Sequence, residues 1–369
     1  MRLAILYLPV LLSCFSTGVY SHPAGRSGHA GEAGGWDNHL ARALRDTGKL
    51  SCRQNGDQLL DEALNFMQKN YYRKDAVDWD GFILAARARL NGSSNCEDAY
   101  GTIGWCFSQL NESHSFLMPP AKALQYNYDT ASLSSTPALA DLVGEIKGEL
   151  LPDSIGYLTI PWVSTTDSII CMHIADSIQD LIARLDVKGI SRWIVDLRKN
   201  TGGNCWPMLA GVGPLLGNGV CGYFVSEDER VPIVYRDGAA FQGRHVRCRL
   251  STGGYQTRRS HKSIVVLTGR RTVSAGEILA LAFKGKEGAW LYGEPTAGLT
   301  TANATYSLSD HSMLVLTVCR EADYAGRICE GSVNPDKFIG PHYGAMTEGP
   351  GSPVEDGVKL AAISWLRGQ

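Results

Sequence analysis

The stretch SIVVLTGRRTVSAGEILALAF, residues 263–283, joins two segments of very different character. Its first part, SIVVLT, is a short β-branched run that predicts a buried strand, and its last part, ILALAF, is apolar and helix-prone. The turn between them carries Ser274. A strand that leads into a helix is the building unit of α/β sheets, so this stretch predicts an α/β fold.

The second half of the chain continues the same alternation. SIGYLTIPWV and RWIVDLR, which begin at residues 154 and 192, predict further strands. Between them, apolar residues at helical spacing predict an amphipathic helix that is capped by Thr166 or Asp167. The terminal segment DGVKLAAISWLRG predicts a closing helix. Strands that alternate with helices favour a sheet with helices packed on it.

The first third of the chain has a different organisation. DQLLDEALNFMQKNYY and DWDGFILAARARL carry apolar residues at helical spacing, and they predict a helical subdomain over residues 56–120. Residues 121–153 are weakly periodic and predict a connecting segment. The main domain is therefore expected over residues 154–369.

The N-terminus is typical of an export signal. Arg2 precedes the apolar run LAILYLPVLL, which is too short to span a bilayer permanently. We predict an export signal over residues 1–21, either cleaved or lipidated at Cys14, and a glycine-rich linker over residues 22–55. The protein is thus expected in the periplasm or outside the cell, and no later segment predicts a membrane span.

Composition narrows the class of partner. The net charge is −2 and hydrophobic residues make up 44% of the chain, as in a globular protein with a substantial core. This charge balance does not favour nucleic acid or an anionic membrane surface as a partner. Neither kind of partner is expected.

Nine cysteines follow Cys14, and in an exported protein they favour disulfides. Local pairs between Cys205 and Cys221 and between Cys319 and Cys329 are plausible. Because nine is odd, at least one thiol should be free. The spacing of cysteines and histidines fits no zinc site, so no metal is expected.

The turn at Ser274 has two interpretations. A serine that opens a helix is commonly a cap. It can also be a nucleophile, because sites in α/β sheets gather at the carboxyl ends of strands and helix N-termini favour developing negative charge. In that case the N–H of Ala275 and that of Gly203, in the segment KNTGGN, could stabilise an oxyanion.

An ordered set of motifs favours the catalytic interpretation. Over roughly residues 55–369 the chain resembles the tail-specific or C-terminal processing serine peptidases, a family that includes the tricorn core and the modules of interphotoreceptor retinoid-binding protein. The resemblance implies a crotonase-like ββα sheet-and-helix core with an N-terminal helical subdomain. The motifs that carry it are, in order, GYLTIPW, DLRKNTGG, TVSAGE, GEPTAG and EGSVNPD.

The resemblance also implies a catalytic set. Ser274 is assigned as the nucleophile. In LNESHSFLMPP, His114 is assigned as the general base and Ser113 as a second hydroxyl that orients the imidazole. Glu330, in CEGSVNPD, is assigned as the helping carboxylate. Such a set needs no cofactor.

A second branch of the family uses a lysine as the base. That lysine directly follows the last glycine of a motif that here spans 293–298, but Leu299 occupies the position. Lys284 and Lys286 lie beyond the helix after Ser274, and we expect them to be solvated charges at its end. The histidine branch is therefore favoured.

Three other charged residues near the motifs are expected to be structural. Glu277 follows Ser274 by three positions. Asp196 and Arg198 are expected to pair with each other or to hold the loop that presents Gly203.

The expected substrate is a peptide or protein segment. Many family members insert a PDZ domain before the core, but the stretch from Pro120 to Ile155 is too short for one. Recognition of free C-termini is therefore not implied for this chain, and its oligomeric state stays open. The alternative is a non-catalytic binding module for an apolar ligand or peptide on the same fold.

Overall fold

The computed structural model describes residues 56–120, 122–123, 139–186, 190–260, 262–340 and 356–369. The predicted export signal with Cys14, the predicted linker and half of the predicted connecting segment lie outside these ranges. No helix in the described ranges is long and apolar enough to cross a membrane.

The described residues form helices and strands in alternation. The helices are α1 (Gly56–Asn70), α2 (Trp79–Leu90), α3 (Cys96–Gln109), α4 (Leu139–Leu142), α5 (Ser168–Leu185), α6 (Cys205–Leu216), α7 (Ala275–Phe283) and α8 (Gly357–Arg367). The strands are β1 (Phe116–Met118), β2 (Lys147–Leu151), β3 (Ile155–Thr159), β4 (Arg192–Asp196), β5 (Gly219–Val225), β6 (Arg230–Arg236), β7 (Ala239–Gln242), β8 (His245–Arg249), β9 (Ser263–Thr268), β10 (Ala289–Gly293), β11 (Thr301–Ser307), β12 (Met313–Ala322) and β13 (Lys337–Phe338).

The chain folds into two compact units. Among the described residues, the first unit takes those within 139–302 and 318–369, and the second takes those within 56–123 and 303–317. Residues 303–317 come from the segment that the sequence assigns to the main domain. They are part of strands β11 and β12 and the turn between them.

A six-stranded sheet forms the centre of the first unit. Its order is β13-β10-β9-β4-β3-β2, and all neighbours are parallel except β2, which runs antiparallel to β3. The predicted α/β class is confirmed. The side chains of β3, β4 and β9 are mostly buried, as expected for parallel strands covered on both faces.

Helices cover both faces of this sheet. Ile155, Ile194 and Leu267 project to one face and pack against α8 through residues such as Ala362 and Leu366. On the other face, α5 contacts β2 and β3, and α7 contacts β9 and β10. Successive side chains of a strand point to opposite faces of the sheet, so one run of apolar residues can pack against the helices on both faces.

The predicted helix between β3 and β4 is confirmed as α5. Of its two candidate caps, Asp167 is the one used, because its Oδ1 accepts hydrogen bonds from the N–H groups of Ile169 and Ile170 at 2.9 Å. These bonds satisfy donors that have no acceptor inside the helix.

Helix α6 was not predicted from the sequence. Pro207, Gly211, Gly213 and Pro214 all fall within it, and such residues normally disfavour a helix. Every residue of α6 is nevertheless buried. Tertiary burial therefore overrides the weak local propensity, and Gly211 shows why a small residue is needed. A Cβ at that position would lie 2.7 Å from the Cβ of Ile178 in α5.

The first unit also contains an antiparallel sheet. Strands β5, β6, β7 and β8 follow one another as a meander, and residues 320–322 of β12 pair with β5. Strands β5 to β8 were not predicted from the sequence. Two register shifts, one with its extra residue in β5 and one with its extra residue in β8, interrupt the alternation of apolar and polar residues.

The second unit is built on three helices, as predicted for residues 56–120. Their apolar faces meet in a core that includes Leu59, Leu60, Met67 and Ile103. Strand β1 runs antiparallel to the first residues of β12, with Phe116 opposite Val315. The segment just before β1 carries two of the predicted site residues.

The cysteines do not pair as the sequence suggested. Of the eight cysteines in the described ranges, all but Cys96 are in the thiol form. The predicted pair Cys319–Cys329 is wrong, because both residues are thiols. The N–H of Cys329 donates to the carbonyl of Glu321, so Cys329 lies opposite Glu321 and not opposite Cys319. The pair Cys205–Cys221 is also wrong, since these thiols are buried separately, at the start of α6 and in β5.

Candidate active site

The backbone at Ser274 is strained. Its φ is 51° and its ψ is −113°, in a region that residues with a side chain rarely adopt. Such a conformation costs on the order of 1–3 kcal/mol and persists only where the surrounding structure over-determines it. Ser274 is 5% exposed and directly precedes the first residue of α7. A strained strand-to-helix turn is the geometry that presents the nucleophile in α/β-hydrolases.

Glu277 holds one side of this turn. Its side chain is fully buried, and Oε2 accepts a hydrogen bond from the N–H of Ser274 at 2.8 Å. This bond is the reciprocal half of a capping box, in which the third residue of the helix reaches back to the cap. Burial raises the pKa of Glu277, and the hydrogen bonds that it accepts oppose that rise.

Asn200, in the loop after β4, holds the other side. Its carbonyl accepts the N–H of Val273 at 3.0 Å, and its Oδ1 accepts the N–H of Gly202 at 3.0 Å. Its Nδ2 donates to the carbonyls of Ile160 and Pro161. Asn200 is fully buried, and it ties together three separate segments at the carboxyl edge of the sheet.

Gly202 brings the loop after β4 against the turn at Ser274. Its φ is +100°, and a Cβ there would lie 2.9 Å from the carbonyl oxygen of Val273 and 3.1 Å from the Cβ of Ser274. Only glycine accommodates both the backbone conformation and this approach. The two turns meet because β4 and β9 are adjacent and parallel, with Asp196 opposite Leu267.

The two predicted oxyanion donors lie in these turns. Ala275 is the first residue of α7, where a backbone N–H has no acceptor inside the helix. Gly203 has a φ of +103° and pairs with Val163. That pairing uses the carbonyl of Gly202 and the N–H of Asn204, so it does not engage the N–H of Gly203 itself.

His114 lies in the second unit, just before β1. It is 2% exposed, its N–H donates to Oε1 of Glu112 at 2.7 Å, and its carbonyl accepts from Nδ2 of Asn303 at 2.8 Å. Burial lowers the pKa of His114 to about 4. The imidazole is therefore neutral at pH 7, which is the form that can accept a proton.

The two predicted helper residues are both exposed. Ser113 belongs to the second unit and Glu330 to the first. The Glu330 side chain is 65% exposed and forms an ion pair with Arg320, with Oε1 and Nη1 3.2 Å apart. The segment around Glu330 lies beside the turn after β10, because Oγ1 of Thr300 donates to the carbonyls of Cys329 and Gly331.

The two lysines after α7 were expected to be solvated charges, but both bind protein acceptors. Lys284 forms an ion pair with Asp336 and donates to the carbonyl of Asn334 at 3.0 Å. Lys286 donates to the carbonyl of Leu216 at 3.1 Å, and burial lowers its pKa. The expectation was wrong because tertiary acceptors lie within reach of both side chains.

The predicted pairing of Asp196 and Arg198 is confirmed. Nη2 of Arg198 lies 2.5 Å from Oδ2 of Asp196 and 2.7 Å from Oδ2 of Asp356, the cap of α8. The hydroxyl of Tyr157 also donates to Asp196 at 2.6 Å. This network links the end of β4 to β3 and to α8. Asn200 was not singled out from the sequence, and only its position after β4 in the segment KNTGGN could have suggested its role.

Known proteins share this fold and sequence pattern. Residues 154–338, half of the chain, match Peptidase family S41. The nisin-resistance protein of Lactococcus lactis subsp. lactis is 31% identical over 306 residues, which cover 80% of this chain and 82% of that protein. A lipoprotein from Streptococcus agalactiae has a similar structure, with a TM-score of 0.64 and 20% identity over 85% of this chain and 96% of that one.

A second solved structure has the same fold. The photosystem II D1 C-terminal processing protease superposes with a TM-score of 0.54 and 16% identity, over 83% of this chain and 97% of that one. The predicted fold, a sheet-and-helix peptidase core with an N-terminal helical region, is thereby confirmed. The resemblance read from the ordered motifs is confirmed as well: the chain belongs to peptidase family S41 and is a serine peptidase.

Proposed function

We propose that the protein is an exported serine endopeptidase in which Ser274 attacks the carbonyl carbon of a peptide bond. The observation that carries this proposal is the strained backbone of Ser274 at the start of α7. A plain helix cap needs no such strain, because Ser caps normally adopt extended backbone angles. Strain that is held by Asn200 and Glu277 on either side is typical of a residue whose position serves chemistry.

The proposed base is His114. Its imidazole would take the proton of the Ser274 hydroxyl during attack and return it to the leaving amine. This step requires the imidazole to reach the hydroxyl, and a neutral imidazole at pH 7 is ready for it. The negative charge on the tetrahedral intermediate would be stabilised by the N–H groups of Ala275 and Gly203.

Ser113 and Glu330 are the proposed helper residues. They would hold the tautomer of the imidazole and stabilise the imidazolium, as a carboxylate does in a triad. Arg320 already pairs with Glu330, so the carboxylate would have to interact with Arg320 and with the proposed catalytic set at the same time. The exposed position of Ser113 leaves its hydroxyl able to reorient.

Peptides are the proposed substrates. Since a relative that matches 80% of this chain is a nisin-resistance protein, nisin is the first peptide to test, alongside unrelated short peptides. The proposed location is outside the cytoplasm, which the N-terminal charge and apolar run support.

The nucleophile is tested by Ser274→Ala. The fold should survive, because a small side chain is accommodated at this turn, while hydrolysis should fall by at least about 10³-fold. Labelling with a fluorophosphonate probe, followed by peptide mapping, should modify the wild type at Ser274 and leave the variant unmodified. Full hydrolysis by purified Ser274→Ala would disprove the assignment and favour a binding module.

The base is tested by His114→Ala, which should lower kcat by about 10²–10⁴-fold. In the wild type, kcat/KM should persist at pH 5–6 and fall as the pH drops through about 4, where His114 becomes protonated. Circular dichroism over the same range must show a folded protein. His173→Ala, at an exposed histidine, is the matched control. An active His114→Ala together with an inactive Lys284→Ala or Lys286→Ala would assign the base to a lysine.

The helper pair is tested by a double-mutant cycle. Ser113→Ala and Glu330→Gln should each reduce kcat less than His114→Ala does, and the double variant should be barely worse than the worse single one. Arg320→Gln, which frees Glu330 from its ion pair, should leave kcat close to that of the wild type. Multiplying effects, or an unchanged kcat in Glu330→Gln, would leave a simpler Ser-His dyad.

Export is tested by mass spectrometry of the protein isolated from its native compartment. The mature chain should begin near residue 21 or carry a lipid on Cys14, and it should contain at least one disulfide. Because the other described cysteines are thiols, peptide mapping without reduction should find Cys96 in that bond. An intact signal with every cysteine alkylated by a thiol reagent under denaturing, non-reducing conditions would contradict the proposal.

A further inference from the structure

Glu277 contacts more than the nucleophile turn. Its carboxylate accepts four hydrogen bonds, and its side chain is 0% exposed. Oε2 accepts from the N–H of Ser274 at 2.8 Å and from the N–H of Leu299 at 2.9 Å. Oε1 accepts from the hydroxyl of Thr296 at 2.5 Å and from the N–H of Gly298 at 2.8 Å.

The hydrogen bonds to Glu277 favour its ionised form and oppose the rise in its pKa that burial causes. Three of its partners are backbone N–H groups, which can only donate, and they approach both carboxylate oxygens. A proton on Oε2 would face only backbone N–H donors, which cannot accept it. Hydrogen bonds to an ionised acceptor are roughly twice as strong as neutral ones, so the carboxylate is a rigid fixed point inside the first unit.

A helix cap alone does not account for these contacts. A capping box needs only the bond to the N–H of Ser274. The other three donors belong to residues 296–299, the turn after β10, which lies outside α7. Because one oxygen, Oε2, binds both Ser274 and Leu299, the backbone of that turn lies next to the backbone of the nucleophile.

We propose that Glu277 is a positioning residue for catalysis, which holds the strained backbone of Ser274 in register with the turn at residues 296–299. This inference rests on the proposed role of Ser274 as the nucleophile. Asn200 fixes the turn from the side of β4, and Glu277 fixes it from the side of β10. With Asn200 and Glu277 both in place, the Ser274 hydroxyl and the Ala275 N–H keep a constant position relative to each other and to the turn at residues 296–299.

The Thr296 hydroxyl extends the same network. It donates to Glu277 and accepts the N–H of Val333 at 2.8 Å, in the segment that follows Glu330. The buried carboxylate therefore links α7, the turn after β10 and the segment at residues 330–333. A displaced carboxylate would shift all three, and a shift of about 1 Å at a nucleophile can cost about 10²-fold in rate.

The test compares three variants with the wild type. Glu277→Ala removes all four acceptor contacts, Glu277→Gln keeps one acceptor oxygen, and Thr296→Val removes a single donor. The readouts are the second-order rate of fluorophosphonate labelling at Ser274 and the separate values of kcat and KM. The matched control is Asp323→Asn, at a second buried carboxylate of the first unit, which accepts from the N–H groups of Ala325 and Arg327 and from Nε of Arg327.

We expect labelling and kcat to fall about 10²-fold in Glu277→Ala, with KM little changed. Glu277→Gln should recover part of this loss, because its amide oxygen can still accept the Ser274 N–H, and Thr296→Val should lose the least. Asp323→Asn should lower the melting temperature without slowing the labelling of folded protein. If Glu277→Ala does not fold, the other two variants decide.

Two outcomes would overturn the inference, and they are distinguishable. The first outcome is that Glu277→Gln and Thr296→Val are labelled at the wild-type rate, or that their labelling rate falls no more than that of Asp323→Asn at equal destabilisation. Either result would show that Glu277 only stabilises the fold. Failure of the probe to modify Ser274 in the wild type would instead remove the proposed nucleophile, and the positioning role with it.

Discussion

The candidate site depends on one strained residue and the contacts that hold it. Ser274 adopts a backbone conformation that a free chain would leave, and it stays there because Asn200 and Glu277 bond to the backbone on either side. Both of these residues are fully buried. Bonds in a buried setting are not exchanged for bonds to water, so the strain is offset without loosening the turn.

The parallel sheet makes these contacts possible. Adjacent parallel strands end at the same edge, so the loop after β4 and the turn after β9 meet although about 70 residues separate them along the chain. Gly202 then allows the loop to approach the Cβ of Ser274. The turn after β10 reaches the same place for the same reason, since β10 is the next parallel neighbour of β9. The proposed catalytic role of Ser274 is therefore supported by sheet topology as well as by its own motif.

The second unit contributes a different kind of constraint. His114 is fixed by backbone bonds to Glu112 and Asn303, and its burial keeps the imidazole neutral well below the usual pKa of histidine. Asn303 lies in β11, far along the chain from His114. The second unit includes residues 303–317, parts of β11 and β12, beside its helices. Burial within this unit lowers the pKa of the proposed base.

The sequence by itself determined the fold class, most of the elements and the family. Strands such as SIVVLT and helices such as α5 were predictable because side-chain periodicity is local, and the cap Asp167 was one of two local candidates. Only the tertiary structure revealed α6, the contacts of Lys284 and Lys286, and the thiol state of Cys205 and Cys319. It also revealed that Asn200 and Glu277 bond to the backbone of the turn at Ser274. Each of these features depends on residues that are distant in the chain. Burial and tertiary contacts outweigh local propensity at these positions, and a local sequence pattern contains no information about either.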